Sequence, residues 1–131
     1  MSGDLATCIF CERVRSDPVL VRNELAVAFG DAYPVNPGHI LVVPRRHVLD
    51  YFALTETEQA AVWQLVNQVR HAMDVEFRPD GYNIGVNVGA AAGQTVGHVH
   101  VHVIPRFKDD VADPRGGVRW VVPSRACYWA S

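Results

Sequence analysis

At 131 residues, with 49% hydrophobic and 20% charged residues, the chain has the make-up of one ordinary globular domain with a single core. Its net charge of −2 and isoelectric point near 6.3 lack a basic surplus, so no nucleic acid is expected as a partner. No apolar run approaches the roughly 18 residues of a membrane span, and the N-terminal MSGDLATCIFCERVR lacks a signal peptide's apolar stretch. Three cysteines make no disulfide framework, so a reduced, cytoplasmic setting without a membrane is expected.

Along the chain, Cys8-Ile9-Phe10-Cys11 is a Cys-x-x-Cys pair, a spacing shared by redox pairs and metal knuckles, and a polar stretch, Glu12 to Pro18, follows. Glu24 to Phe29 and His39 to Val43 are rich in β-formers and are predicted strands, separated by a loop, Asp31 to Gly38, with two prolines and a glycine. Thr55, three residues before Glu58, has capping-box spacing and opens the one clear helix. Its apolar stripe is Trp63, Val66, Val69 and Met73, running to about residue 75, and Pro79-Asp80-Gly81 ends it. Tyr82 to Val88 is a third predicted strand, a loop holding Gly89, Gly93 and Gly97 follows, and Gly97 to Ile104 is a fourth. His71 is expected on the helix surface and Cys127 as a small, partly buried side chain. The segment Asp113-Pro-Arg-Gly-Gly-Val-Arg-Trp120 either borders a site and selects a leaving group or serves packing or dimerisation.

Half of the six histidines lie in His98-Val99-His100-Val101-His102. Side chains alternate across a strand, so the three imidazoles share one face and Val99, Val101 and Val103 share the other, where they enter the core. Three imidazoles in a row serve metal binding or acid–base and nucleophilic chemistry, because a neutral imidazole is a competent nucleophile near pH 7. Gly93-Gln94-Thr95, just upstream, supplies an amide, a hydroxyl and backbone N–H groups that suit phosphate oxygens without a lysine. Two other readings stand beside this one. His98, His100 and His102 could together ligate a catalytic metal in a metallohydrolase, or the chain could be a nucleotide-binding regulatory module with little turnover.

The run Gly93-Gln-Thr-Val-Gly-His-Val-His-Val-His102 resembles the signature of the histidine triad (HIT) family, with further likeness at Gly38 to His47 and Asn83 to Asn87. The resemblance spans roughly residues 8–106 and implies one α+β domain over 1–131: a five-stranded antiparallel sheet, one long and one short helix, and a two-fold homodimer, while the 107–131 tail lies beyond it and either borders the site or serves packing. It implies hydrolysis or transfer at the α-phosphate of nucleoside 5′-phosphate derivatives, either dinucleoside polyphosphates or nucleoside phosphoramidates, through a nucleotidyl-histidine. A purine nucleotide is the expected substrate. By the same resemblance His100 is the nucleophile, with His102 and His39 completing the catalytic cluster. Gln94, Thr95 and Asn87 line the phosphate site, Asp31 accepts from the ribose hydroxyls, and Ile9 and Phe10 pack the base. Some HIT-like proteins hold zinc with two cysteines and two histidines, here Cys8, Cys11, His47 and His98. That implies a closed structural zinc, and the nucleotidyl-histidine scheme itself requires no magnesium.

Overall fold

The computed structural model describes residues 8–16 and 19–129, so the leader reading at residues 1–7 and the end of the Glu12–Pro18 stretch lie outside the described residues. In chain order the elements are α1 (Ile9–Arg15), β1 (Val21–Arg22), β2 (Ala26–Gly30), β3 (Ile40–Pro44), α2 (Glu56–Phe77), β4 (Gly81–Val86) and β5 (Val101–Arg106). The strands form one antiparallel sheet in the order β1-β2-β3-β5-β4, giving the α+β architecture expected.

Two faces of this sheet do different work. Ala26, Ala28, Ile40, Val42, Val101 and Val103 point to one side, where Val62, Leu65, Val66, Val69 and Met73 of α2 cover them. Burial at three- and four-residue steps is the physical reason this 22-residue helix persists. Its start is the capping box read in the sequence. Glu58 N–H donates to Thr55 Oγ1 at 3.1 Å, and Thr55 N–H donates back to Glu58 Oε1 at 2.9 Å. Arg46 clamps the same carboxylate through Nε and Nη2 at 3.0 and 2.7 Å, fastening the helix to the loop after β3. Trp63 corrects the expected stripe. It is 38% exposed, and Val62 and Leu65 take the buried positions, because Val62, Leu65, Val66, Val69 and Met73 form the helix face turned to the sheet. Gly38 is held at φ +85° with Phe77 Cδ2 2.8 Å from where a Cβ would sit, so only glycine lets this turn close against the end of α2.

The opposite face carries Val27, Phe29, Leu41 and Val43, with Phe10 of α1 packed on them. Glu12–Arg15 of the stretch read as polar is therefore helix: Phe10 and Cys11 supply a buried side that the three charged residues Glu12, Arg13 and Arg15 conceal in the sequence. β5 begins at Val101 rather than Gly97. His98 sits in a bend and His100 just before the ladder, and only His102 belongs to the paired strand. The valines do enter the core, and the imidazole face is covered too: His98 is 0% and His100 6% exposed, because α1 lies over them. The tail folds on itself in short turns at Gly117–Val121 and Pro123–Arg125, with Arg119 donating to the Ala126 carbonyl and Trp120 Nε1 to the Arg115 carbonyl. Cys127 is exposed there rather than partly buried, while His71 is exposed on α2 as read.

Candidate functional site

A cavity of about 870 Å³ opens on the covered face between α1, the ends of β2 and β3, and the histidine segment. That size suits a small-molecule ligand. Register explains its layout. Phe29 pairs with Leu41, Leu41 with His102 and His102 with Gly85, so these four form one row across the sheet with side chains on the same face. Phe29 and His102 are two strands apart, roughly 10 Å. The cavity thus has an apolar end at Phe29, Leu41 and Phe10 and a polar end at His39, His100 and His102. Ile9, Asp31, Asn87 and Thr95 also line it, as the sequence reading placed them. Gln94 does not. Its amide donates to the Leu49 and Val96 carbonyls at 2.9 and 3.0 Å, and its oxygen accepts from Gly89 N–H at 2.9 Å, so it is buried as the brace of the 89–94 loop. A side chain whose three bonding groups are already matched has none to offer a phosphate.

The imidazoles are held in defined tautomers. His100 Nδ1 lies 2.9 Å from the His98 carbonyl, which accepts only, so Nδ1 carries the hydrogen and Nε2 the lone pair. Val35 N–H donates to His39 Nδ1 at 3.0 Å, which places the His39 hydrogen on Nε2. That N–H is 3.0 Å from His102 Nδ1 and 3.3 Å from Asp31 Oδ2. Donation to His102 Nδ1 leaves the His102 hydrogen on Nε2. Burial holds His39 and His100 below the usual imidazole range. His102 falls to about 4, through burial first and then the neighbouring His100 and His39, with Asp31 opposing. All three are neutral at pH 7. Asp31 Oδ1 also accepts from Tyr33 N–H at 2.9 Å, so the residue both shapes its turn and keeps Oδ2 toward the histidines.

Behind the cavity, Cys8, Cys11, His47 and His98 bring one ligand atom each to within 4.8 Å of one another. The first turn of α1 makes the pair: Cys8 caps the helix, its Sγ accepting from Cys11 N–H at 3.4 Å. His47 arrives on the chain leaving β3, where Val99 N–H donates to the Val48 carbonyl and ties that loop to the histidine segment. His98 Nε2–H donates to the Pro44 carbonyl at 2.8 Å, so Nδ1 offers its lone pair to the cysteines. Around a tetrahedral ion with Zn–S of about 2.3 Å and Zn–N of about 2.0 Å, sulfur and nitrogen stand about 3.5 Å apart and two nitrogens about 3.3 Å. Both cysteine sulfurs are 3.5 Å from His98 Nδ1, Cys11 Sγ is 3.2 Å from His47 Nδ1, and the two Nδ1 atoms are 3.3 Å apart. The four residues fit such an ion. With both His98 nitrogens committed here, His98, His100 and His102 do not converge on one metal, which removes the geometry the metallohydrolase reading needs. Asp31, His39 and His102 also cluster, but their shortest contact is the hydrogen bond described above.

Sequence reasoning missed the backbone partners: the His98 and Pro44 carbonyls and the Val35 N–H have no signature in residue identity. It missed Phe29 and Leu41 as cavity wall because a buried strand reads as core from either face. It also missed Arg13, whose guanidinium lies 4.8 Å over the Phe29 ring at the apolar end.

Comparison with known proteins gives the same picture. The family model described as HIT domain matches residues 12–109. An uncharacterised HIT-like protein of Mycoplasma genitalium is 38% identical over 79% of the chain and 75% of its own length. The asymmetrical bis(5′-nucleosyl)-tetraphosphatase of Schizosaccharomyces pombe is 41% identical over 72% of the chain, which spans about half (52%) of that enzyme. A solved zinc-bound histidine triad family protein of Mycobacterium smegmatis superposes with a TM-score of 0.75 at 31% identity, covering 84% of this chain and 82% of that one.

Proposed function

This chain belongs to the HIT family, and from that premise we propose that it hydrolyses or transfers nucleoside 5′-phosphate derivatives at the α-phosphate through His100. The observation that carries the reading is the 2.9 Å contact of His100 Nδ1 with the His98 carbonyl, which leaves Nε2 as a neutral nucleophile in a cavity of nucleotide size. His100 Nε2 bonds to phosphorus as the bond to the leaving atom breaks. The Nδ1–H keeps its carbonyl partner, which steadies the positive charge the ring acquires. His102 Nε2–H, oriented by His39, faces the charge developing on the phosphoryl group, and Thr95 and Asn87 add donors. Water then attacks phosphorus and frees His100. The base packs against Phe10 and Ile9, and Asp31 Oδ2 accepts from the ribose. A purine fills the apolar end best, and dinucleoside polyphosphates and nucleoside phosphoramidates are the substrate classes.

Cys8, Cys11, His47 and His98 would hold a structural zinc, which supplies cross-linking and no catalytic water, since four protein ligands leave no open position. Thiols kept reduced for that role suit the cytoplasm. A two-fold homodimer through the outer edge of β4 is supported by that strand's place at the sheet edge and by Ile84, 37% exposed on it.

The test is His100→Ala, which is expected to retain nucleotide binding and lose turnover by a factor on the order of 10⁶. Acid-labile labelled phosphohistidine should be trapped from the wild type alone. Near-normal turnover in the variant would overturn the assignment.

A further inference from the structure

A cation stands at the apolar end of the nucleotide cavity. Ile9, Phe10, Phe29 and Leu41 line that end, and Arg13 lines it with them. Ile9 and Arg13 are four residues apart on α1, so they occupy one helix face about 6 Å apart along the axis. The Arg13 guanidinium rests over the Phe29 ring, 4.8 Å from its centroid, which holds this long side chain against the cavity wall. From Phe29 the chain runs two residues, about 7 Å, to Asp31, whose Oδ2 reaches His39 Nε2 at 3.3 Å. Arg13, Asp31 and the histidines thus succeed one another along the cavity. A nucleotide with its phosphorus at His100 and its ribose at Asp31 carries its base to Arg13.

The donors of Arg13 are uncommitted. Among the described residues no carboxylate or carbonyl engages its guanidinium, and Glu12 beside it pairs with Arg15 at 3.4 Å. A guanidinium donates from five N–H groups in one plane, accepts nothing and keeps its charge at any ordinary pH. Purines differ on the edge that such a group meets. Guanine and hypoxanthine present two acceptors, N7 and O6, whereas adenine presents N7 beside the N6 amino group, itself a donor. Facing Arg13, a 6-oxopurine gains two hydrogen bonds, while adenine gains one and sets donor against donor. The other walls at this end are hydrocarbon and ring faces, which pack either base equally.

Resting on the nucleotide reading of this cavity, we propose that Arg13 is a specificity-determining residue, which reads the N7 and O6 edge of the base and makes 6-oxopurine nucleotides the preferred ligands over adenine nucleotides. Phe29 positions the reader, since its ring face holds the guanidinium before the base arrives. Pyrimidines lack the N7 and O6 pair and leave the arginine fork unmatched.

The experiment is calorimetric titration of the purified protein, wild type and Arg13→Met, with GMP, IMP, AMP, CMP and 7-deaza-GMP, with melting curves to verify folding. In the wild type GMP and IMP are expected to bind about tenfold tighter than AMP, the lower end of what a bidentate arginine pair discriminates, because Arg13 is exposed. The 7-deaza-GMP, which keeps O6 alone, should fall between GMP and AMP. In Arg13→Met, which keeps an apolar stem over Phe29, the ratio of GMP to AMP affinity should fall to within about twofold of one, the bidentate pair being lost. Wild-type affinity for AMP equal to or above that for GMP overturns the inference and leaves the nucleotide reading intact. A GMP preference that persists in Arg13→Met assigns base reading to another group and overturns it as well. Equal losses for GMP, AMP and CMP in the variant make Arg13 a general anchor for negative charge, which also overturns it. No binding of any of the five by the wild type removes the nucleotide reading, and the inference with it.

Discussion

Acidification should cost this protein stability through His102 before any carboxylate is involved. Its imidazole titrates near 6.5 when unfolded and at about 4 when folded. Because the folded value is depressed, the unfolded chain takes up the extra proton, so stability falls as pH drops below 6.5 and this loss levels off only below about 4. The linkage for those two values gives a loss of about 2 kcal/mol between pH 7 and pH 5. His39, His98 and His100 are also held down by burial and add to it with the same sign. Glu58, lowered to about 2 chiefly by its Arg46 hydrogen bonds, loses its contribution only as pH falls from about 4.5, outside this window. The assay is denaturant unfolding of wild type and His102→Asn at pH 7, 6 and 5, with equal metal content. The variant should lose about 2 kcal/mol less than the wild type across the range, and any acid-driven loss of metal affects both proteins. Parallel slopes would refute the claim that burial of a neutral His102 imposes the cost.

Other outcomes follow from the same contacts. Glu58→Ala removes the capping-box bond from Thr55 N–H, worth about 1 kcal/mol, together with the Arg46 clamp, so a loss of about 2 kcal/mol is expected in urea unfolding, while Glu58→Gln keeps the capping box and should lose less than half of that. Asp31→Asn should weaken AMP by about tenfold or more and 2′,3′-dideoxy-AMP far less, as read by calorimetry; equal losses would confine Asp31 to its turn and its histidine contacts. Purified protein should carry close to one equivalent of zinc, and chelation or Cys8→Ser should lower the melting temperature by many degrees, since structural zinc supplies on the order of 10 kcal/mol of apparent binding energy. Less than a tenth of an equivalent with an unchanged melt would leave the cysteines as packing residues.

How much of this was legible in the sequence depends on whether identity or geometry carries the information. The Thr55–Glu58 cap, the α2 helix and the alternating valines follow from local rules, and they appear where those rules place them. The His-x-His-x-His run announced a site, but period-two alternation set all three imidazoles on one open strand face. The chain instead bends at His98, sends that ring behind the cavity, and covers the others with α1. α1 itself was illegible because only Phe10 and Cys11 of its seven residues are buried, too few to make a stripe. β1, two residues long, is likewise too short to show alternation. Gln94 was misplaced because an amide that braces a loop and one that binds an anion look alike until its partners are seen.

The α1 helix and the Cys8 that caps it belong to two sites at once. Cys8 and Cys11 face the cluster with His47 and His98, while Ile9, Phe10 and Arg13 form a wall of the nucleotide cavity. An ion bound behind the wall and a nucleotide bound in front of it therefore favour the same placement of one short helix. By reciprocity, whatever factor the metal adds to nucleotide affinity, the nucleotide adds to metal affinity. In a protein where the metal-free helix cannot hold the base, half-loading with metal would double the apparent Kd for nucleotide. Metal supply would then set how much of the protein can take substrate at all.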